Sequence, residues 1–425
     1  MANDIYSYIK EEEVRYAQEI EVMENWSWNM KEHIRTSILM KHGKFLKASN
    51  DLTTKQPNKN IVYPLLNLRY RAEDIDVKDV SLYVNDSEKY HLSFLVKKYH
   101  DEVYTEEHDL DTFFDETNQE KIDFGGTLVR KSSAGPITET LESIAFCDQT
   151  DILSGPIGFK LFFSPDELYE MEKQGWGDTR NGATTTIEEL VVLAEEAKQQ
   201  DSQKGLKTKT PGKYIEIYRV HGSLLASYLA EQDSADSGEK EKYIRQLHIV
   251  GFYKNKDGVD TGVTLYKKKE FKNPFKVLLA GKKIRNRALA YGGVEEIIDP
   301  QVWTNYSEIR KKEILDAVSK TILYTADEGY SNRNQLRDMD NLEITVVREG
   351  ASINQVPTTN PNIRLFTEWL GEWQAQAQTT SGATDALLGK NPPSGSPFSL
   401  QNLVVQTGQG LHAHRRGQYE TYIAE

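Results

Sequence analysis

The residues best suited to gripping a phosphate are concentrated in one run. Between Lys267 and Arg287 lie Lys267, Lys268, Lys269, Lys272, Lys276, Lys282, Lys283, Arg285 and Arg287, against the single acid Glu270, a local charge of +8. The chain as a whole carries 52 Lys and Arg, 65 Asp and Glu, and a net charge of −13. A basic run on such a background points to contact with a phosphate backbone, docking to an acidic partner, or a plain solvated face. The opposite pole is residues 101–123, with ten acids and one base, Lys121. A run of that kind reads as a solvated face or loose loop, and Asp109-x-Asp111 alone is too weak a pattern for a cation site.

Enzyme chemistry finds little to build on. A phosphate-cradling loop needs glycines at fixed spacing before Gly-Lys-Ser/Thr, and two near misses fail: Gly382 to Lys390 ends in Asn391, and Gly205 to Lys213 ends in Tyr214. There is no Gly-x-Ser-x-Gly elbow. Cys147 is the only cysteine, so no disulfide can form within the chain, and it reads as a buried structural thiol. His412-x-His414 on a helix would aim its rings about 200° apart, which suits no single metal. Asp74-x-Asp76 and Asp338-x-Asp340 read as loop or capping pairs. The expectation is a protein without catalytic residues, metal or cofactor.

The elements that would position these residues are of both kinds, which predicts an α+β fold in a chain of 425 residues, long enough for several domains. Met1 to Met40, with Trp26 and Trp28, reads as helix. Ile61–Leu66 and Val80–Val84 read as short strands, Lys89–Tyr104 as helix, and Asp123–Arg130 and Ile157–Phe163 as strands. Ser164-Pro165-Asp166-Glu167 opens a short helix with proline at its first position. Thr186 caps a helix through Glu189, with Ile187, Leu190, Val191, Ala194 and Ala197 on one face. Tyr214–Val220 alternates as a strand, and Asn255-Lys256-Asp257-Gly258 joins two further strands as a hairpin.

Asp299-Pro300 reads as the start of a long helix. Ile314, Ala317, Val318 and Ile322 form one apolar face of it and Leu315 and Leu323 another, so the helix wants neighbours on two sides. Strand-like Leu342–Val347, a helix over 362–378, a Gly/Ser/Pro-rich loop over 379–397 and a last helix capped by Ser399 complete the order. No run of about 18 apolar residues and no secretory leader is present.

This order of parts resembles the portal proteins of tailed bacteriophages. The likeness is strongest in Arg285-x-Arg287-x-x-x-Tyr291-Gly292-Gly293-Val294-Glu295-Glu296, continuing to Gln301-Val302-Trp303-x-Asn305, and in Gly389-x-Asn391-Pro392-Pro393-Ser394-Gly395 before a Gln-rich helix. The resemblance implies a ring-forming subunit, typically one of twelve, with an α/β wing, a two-helix stem and a β-rich clip around a DNA channel. It divides the chain into a wing region (1–185), an outgoing stem helix and linker (186–212), a clip (213–285), a returning stem helix (286–328) and a C-terminal wing region (329–425), with the crown absent or truncated.

In that division the loop 379–397, with Gly382, Asp385, Gly389, Lys390, Asn391, Pro392, Pro393, Ser394 and Gly395, corresponds to the tunnel loop that narrows the channel. The basic run would face DNA or a docking partner. The implied partners are further copies of the chain, double-stranded DNA bound without sequence preference, the terminase large subunit, head-completion or tail connector proteins and the major capsid protein. The implied location is the virion, with the host cytoplasm during assembly. The alternatives are a nucleic-acid-processing α/β enzyme, for which Asp338 and Asp340 would be the first residues to test, and a tail or baseplate structural protein.

Overall fold

The computed structural model describes residues 5–44, 56–80, 82, 86–132, 135–203, 214–229, 243–254, 260–318, 323–324, 354–355, 362–383 and 398–424. The fold over these residues is mixed α and β. No helix among them is long and apolar enough to cross a membrane.

The first forty residues are not one helix. Ile5–Tyr16 (α1) buries Ile5, Ile9 and Tyr16. Ile20–Met23 (β1) and Trp26–Trp28 (β2) then pair antiparallel through a turn in which Asn25 takes φ 64°, a conformation that asparagine tolerates. Trp26 and Trp28 therefore stand on a hairpin. Helix resumes at Met30–Lys41 (α2), where the Asn29 side chain accepts the Glu32 N–H at 2.9 Å.

Ile61–Leu66, expected as a strand, opens the helix Val62–Ala72 (α3), which buries Val62, Leu65, Leu66 and Arg69. Pro64 lies in the first turn, where its missing N–H would have no helical partner in any case. Most of residues 80–84 lie outside the described set. The next stretch is helical as expected, through Ser93–Tyr99 (α4) and Thr105–Glu107 (α5). Leu110–Phe124 (α6) follows. The acidic run is thus neither loose nor wholly solvated, since α6 buries Leu110, Phe114, Thr117, Asn118, Lys121, Ile122 and Asp123 while Asp111, Asp115 and Glu116 face out.

Two antiparallel sheets form the body. Gly126–Ser132 (β3) is the centre of a three-stranded sheet, flanked by Gly135–Glu139 (β4) and Phe275–Leu279 (β10). The five-stranded sheet runs in chain order through Ile144–Phe146 (β5), Ile157–Phe163 (β6), Ile215–Leu225 (β7), Tyr243–Lys254 (β8) and Asp260–Lys269 (β9). Pro165–Glu172 (α7) carries the expected capping box at Ser164, and Ile187–Gln203 (α8) begins at Thr186, whose hydroxyl accepts the Glu189 N–H at 3.3 Å.

The pleat explains why the large sheet is covered on both sides. Ile215, Ile217, Leu247 and Ile249 point one way and meet Leu168, Ile187, Leu190, Val191 and Ala194 of α7 and α8. Tyr218, Val220, Leu224, Val250 and Phe252 point the other way, into a core shared with α1, β2 and β3. The packing runs across residues 186, 213 and 286. β7–β9 continue a sheet begun by β5 and β6, β10 completes the sheet of β3, and α8 lies on the body.

Gly293–Val318 (α9) starts well before Pro300, which sits inside it. An internal proline costs about 3 kcal/mol. Val294 and Ile297, fully buried against Leu66 and Ile122 ahead of it, contribute roughly 1.5–3 kcal/mol each. Burial wins, and the helix runs through.

The helix does not extend to the end expected of it. Leu323 lies in the strand Leu323–Tyr324 (β11), paired antiparallel with Asn354–Gln355 (β12), while Ile322 is outside the described residues. Ile314 is half-buried and Leu315 exposed, and of Ala317 and Val318 only the helical backbone is described. Asn362–Ser381 (α10) packs along α9, ending at Gly382 with φ 76°. The final helix, Phe398–Ala424 (α11), begins one residue before its expected cap, Ser399. Residues 342–347 and 384–397 lie outside the described set, and with them Asp385 to Gly395 of the expected tunnel loop.

Candidate functional site

The motif from Arg285 to Asn305 forms the mount on which α9 is set into the body. Its first member inside the fold is Arg287, with no solvent exposure. The guanidinium donates to Glu295 at 2.6 and 2.8 Å and lies 4.7 Å from the Trp28 ring, 5.3 Å from Tyr291 and 5.8 Å from Trp26. Flat, weakly hydrated and permanently charged, arginine suits such an aromatic cage.

Gly125, in the left-handed conformation that ends α6, and Gly292 let two backbones cross. A Cβ on Gly125 would collide with the Ala290 carbonyl, and one on Gly292 would lie 2.5 Å from the Asp123 carbonyl oxygen. Further along α9, Gln301 and Asn305 act as pegs. Gln301 accepts the Ile61 N–H at 2.8 Å and donates to the Lys59 carbonyl at 2.9 Å, and Asn305 accepts the Lys59 N–H at 2.9 Å.

Behind this mount lies a charge cluster gathered from four helices. Glu73, 1 % exposed, receives Arg69 at 2.9 Å, Lys121 and His412 at 3.3 Å and Arg415 at 3.6 Å. Arg69 and Arg415 also reach Glu296, at 3.0 and 3.4 Å. Burial alone would raise the Glu73 carboxyl, but His412, Arg69, Lys121 and Arg415 together outweigh it and bring it down to about 2. Burial lowers Lys121 to about 8 despite its carboxylate partner. Such a cluster locks α11 onto α3, α6 and α9. His412 is buried in it and His414 exposed, as opposed ring directions require.

The nine basic residues do not form one patch. Lys268, Lys269, Lys272, Lys282, Lys283 and Arg285 are exposed, with Lys283 paired to Asp151 at 2.9 Å. Lys267 is half-buried over Gly182, Lys276 lies 4.6 Å from the Tyr422 ring, and Arg287 is internal. Glu270, the one acid of the run, is held by His221 at 2.9 Å and lies 4.0 Å from Arg245.

The other candidates are structural in their contacts. Burial pushes the Cys147 thiol up, and it lies 3.7 Å from the Met30 sulfur. Asp74 accepts the Ile75 N–H and Asp76 the Lys78 N–H, as turn residues do. Asp338 and Asp340 lie outside the described residues. Among the described residues, no three His, Cys, Asp or Glu are grouped so as to hold a metal ion.

What the sequence reading missed is the pairing of α9 with α10. Trp303 lies 5.7 Å from Trp369 and 5.9 Å from Trp373 between ring centroids. The start of α9 meets the end of α10 through Val294, Ile297, Ala377 and Ala383, and beyond the other ends β11 pairs with β12. The two helices are therefore antiparallel. Tryptophans at 303, 369 and 373 were the available signal, four residues apart on α10 and so on one face. No protein-family model matches the chain, and no curated protein matches it.

Proposed function

We propose that the chain is a subunit of a portal-type ring, a non-enzymatic conduit for double-stranded DNA at a capsid vertex of a tailed phage. The observation that carries this reading is the antiparallel pair α9–α10, rooted in the body at one end and closed at the other by β11–β12. On this reading α9 and α10 are the stem. The α+β body up to β10 is the wing. The stem thereby moves from α8 to α10, because α8 is committed to the five-stranded sheet.

A stem helix in a ring touches a neighbour as well as its own partner. In keeping with that, Val302, Trp303, Tyr306 and Leu315 of α9 and Leu365 of α10 are 39–62 % exposed. Exposed Lys268, Lys269, Lys272, Lys282, Lys283 and Arg285 would meet DNA or a docking protein, such as the terminase large subunit, a head-completion or tail connector protein, or the major capsid protein.

Native mass measurement combined with imaging of the purified protein tests the reading. Twelve copies of a 48.5 kDa chain give a ring of about 580 kDa, with a hole wide enough for a duplex. A stable monomer at micromolar concentration would overturn it, and a closed ring without a through-channel would favour a tail or baseplate component instead.

A further inference from the structure

The segment from residue 87 to 104 is helical and apolar on more than one side. Tyr90, Leu92, Phe94, Leu95, Val96 and Tyr99 are 39–71 % exposed, and no residue of α4 is buried. A helix with apolar groups all round belongs in an interior. Large apolar side chains scattered singly over a surface are ordinary, but six on one short segment are not, and such a concentration marks a contact surface. Lys89, Lys97 and Lys98 are exposed among them, Lys89 3.4 Å from Asp86 and Lys98 3.8 Å from Glu102.

The same chain carries an open groove of about 550 Å³ with Ile38, Leu39, Leu141 and Ile144 in its walls. It continues past Ile38 and Glu142 into a second cavity lined by Glu116, Glu120 and Thr140. Its rim is acidic at Glu32, Glu116 and Glu142. The bases there are Lys31, Arg35, Lys41 and His42, of which Arg35 is bound to Glu32 at 3.4 Å and Lys41 to Asp123 at 2.6 Å. Burial raises the Glu120 carboxyl to about 8, opposed by the Leu141 N–H and reinforced by Asp123, Glu116 and Glu142. Glu120 is therefore largely neutral at pH 7, and the rim's charge comes from Glu32, Glu116 and Glu142.

We propose that the arm 87–104 of one copy seats in the groove between α2 and residues 141–144 of a second copy, its apolar side chains on Ile38 and Leu39 and its lysines on the acidic rim. Arm and groove are different surfaces of one chain, so the contact is head-to-tail and propagates into a closed ring when the rotation closes. A second copy is the occupant because this chain itself carries both the apolar floor and the acidic rim that match the arm, and opposite charges set register and partner choice. The inference rests on the self-association in the ring reading and not on a DNA channel.

The test uses the full chain with a photo-reactive phenylalanine analogue at residue 94, followed by peptide mapping. Cross-links between copies to residues 31–41 or 116–144 are expected; links confined to other surfaces, or to the same copy, overturn the proposal. In parallel, F94E/L95E should weaken association at least tenfold. K97E/K98E should weaken it and E116K/E142K should restore it, a rescue that misfolding cannot produce. Wild-type rings that survive F94E/L95E would overturn the arm and leave the ring reading standing. Arm-dependent dimers or open chains would do the reverse, and a wild-type monomer would overturn both.

Discussion

A guanidinium without solvent is tolerated at residue 287 because three aromatic rings and the Glu295 carboxylate replace its water. Removing one member of a buried pair leaves the other uncompensated. Arg287→Ala is expected to cost roughly 3 kcal/mol or more, read as a lower denaturant midpoint, with Arg287→Lys recovering little of it because an ammonium cannot pair bidentately and stack. Glu120 gives a pH signature. Its folded value, near 8 against an ordinary 4.5, means that the unfolded chain gives up this proton first as pH rises. Stability contributed by the protonated carboxyl is therefore present below pH 4.5 and lost as pH climbs towards 8. Glu120→Gln should flatten that slope and raise the thermal midpoint at pH 8; an unchanged slope would show that Glu120 titrates as an ordinary surface acid.

At the scale of elements, α9 holds the molecule together because its first turns are fastened from several directions. Its N-terminal glycines let residues 290–293 pass against the end of α6, where Gly125 accepts the Ala280 and Ala290 N–H groups at 3.0 and 3.2 Å. A methyl group at Gly292 has backbone, not a flexible side chain, to displace. Gly292→Ala should cost about 1–3 kcal/mol, the usual penalty for overpacking, and amide exchange should show the loss spreading to β3, β10 and the start of α9. A variant as stable as wild type would mean that the crossing is looser than its distances imply. The acidic run is explained at this scale too: α6 turns Lys121 and Asp123 inward to partners on α3 and α2, and leaves Asp111, Asp115 and Glu116 outside.

For the whole molecule, charge sets the expectation. On the portal reading, a net charge of −13 suits a conduit through which a polyanion slides, and leaves phosphate contact to the exposed bases. Replacing Lys282, Lys283 and Arg285 together with alanine should lower packaged DNA several-fold, or weaken docking of a head protein, with the mass of the assembly unchanged. Normal packaging by the triple variant would remove these residues from the function. Arg287 does not belong in that experiment, because its loss acts on folding.

Local patterns settled a good part of this protein without any tertiary information. The capping boxes at Ser164 and Thr186, the alternation of 214–220, the hairpin strands around 255–258 and the helix from 362 follow from neighbouring residues, whose hydrogen bonds and face periodicity are short-range. Where neighbours were ambiguous, distant partners decided. Pro300 was carried through a helix by burial of Val294 and Ile297, Pro64 was absorbed into a first turn, and Trp26 and Trp28 went to a hairpin that cages an arginine some 260 positions away. The Glu73 cluster draws on residues 69, 121, 296, 412 and 415, and the α9–α10 pair depends on tryptophans in separate helices. Such contacts have no signature in a linear chain, because it is the packing of helix on helix that brings these side chains within reach of one another.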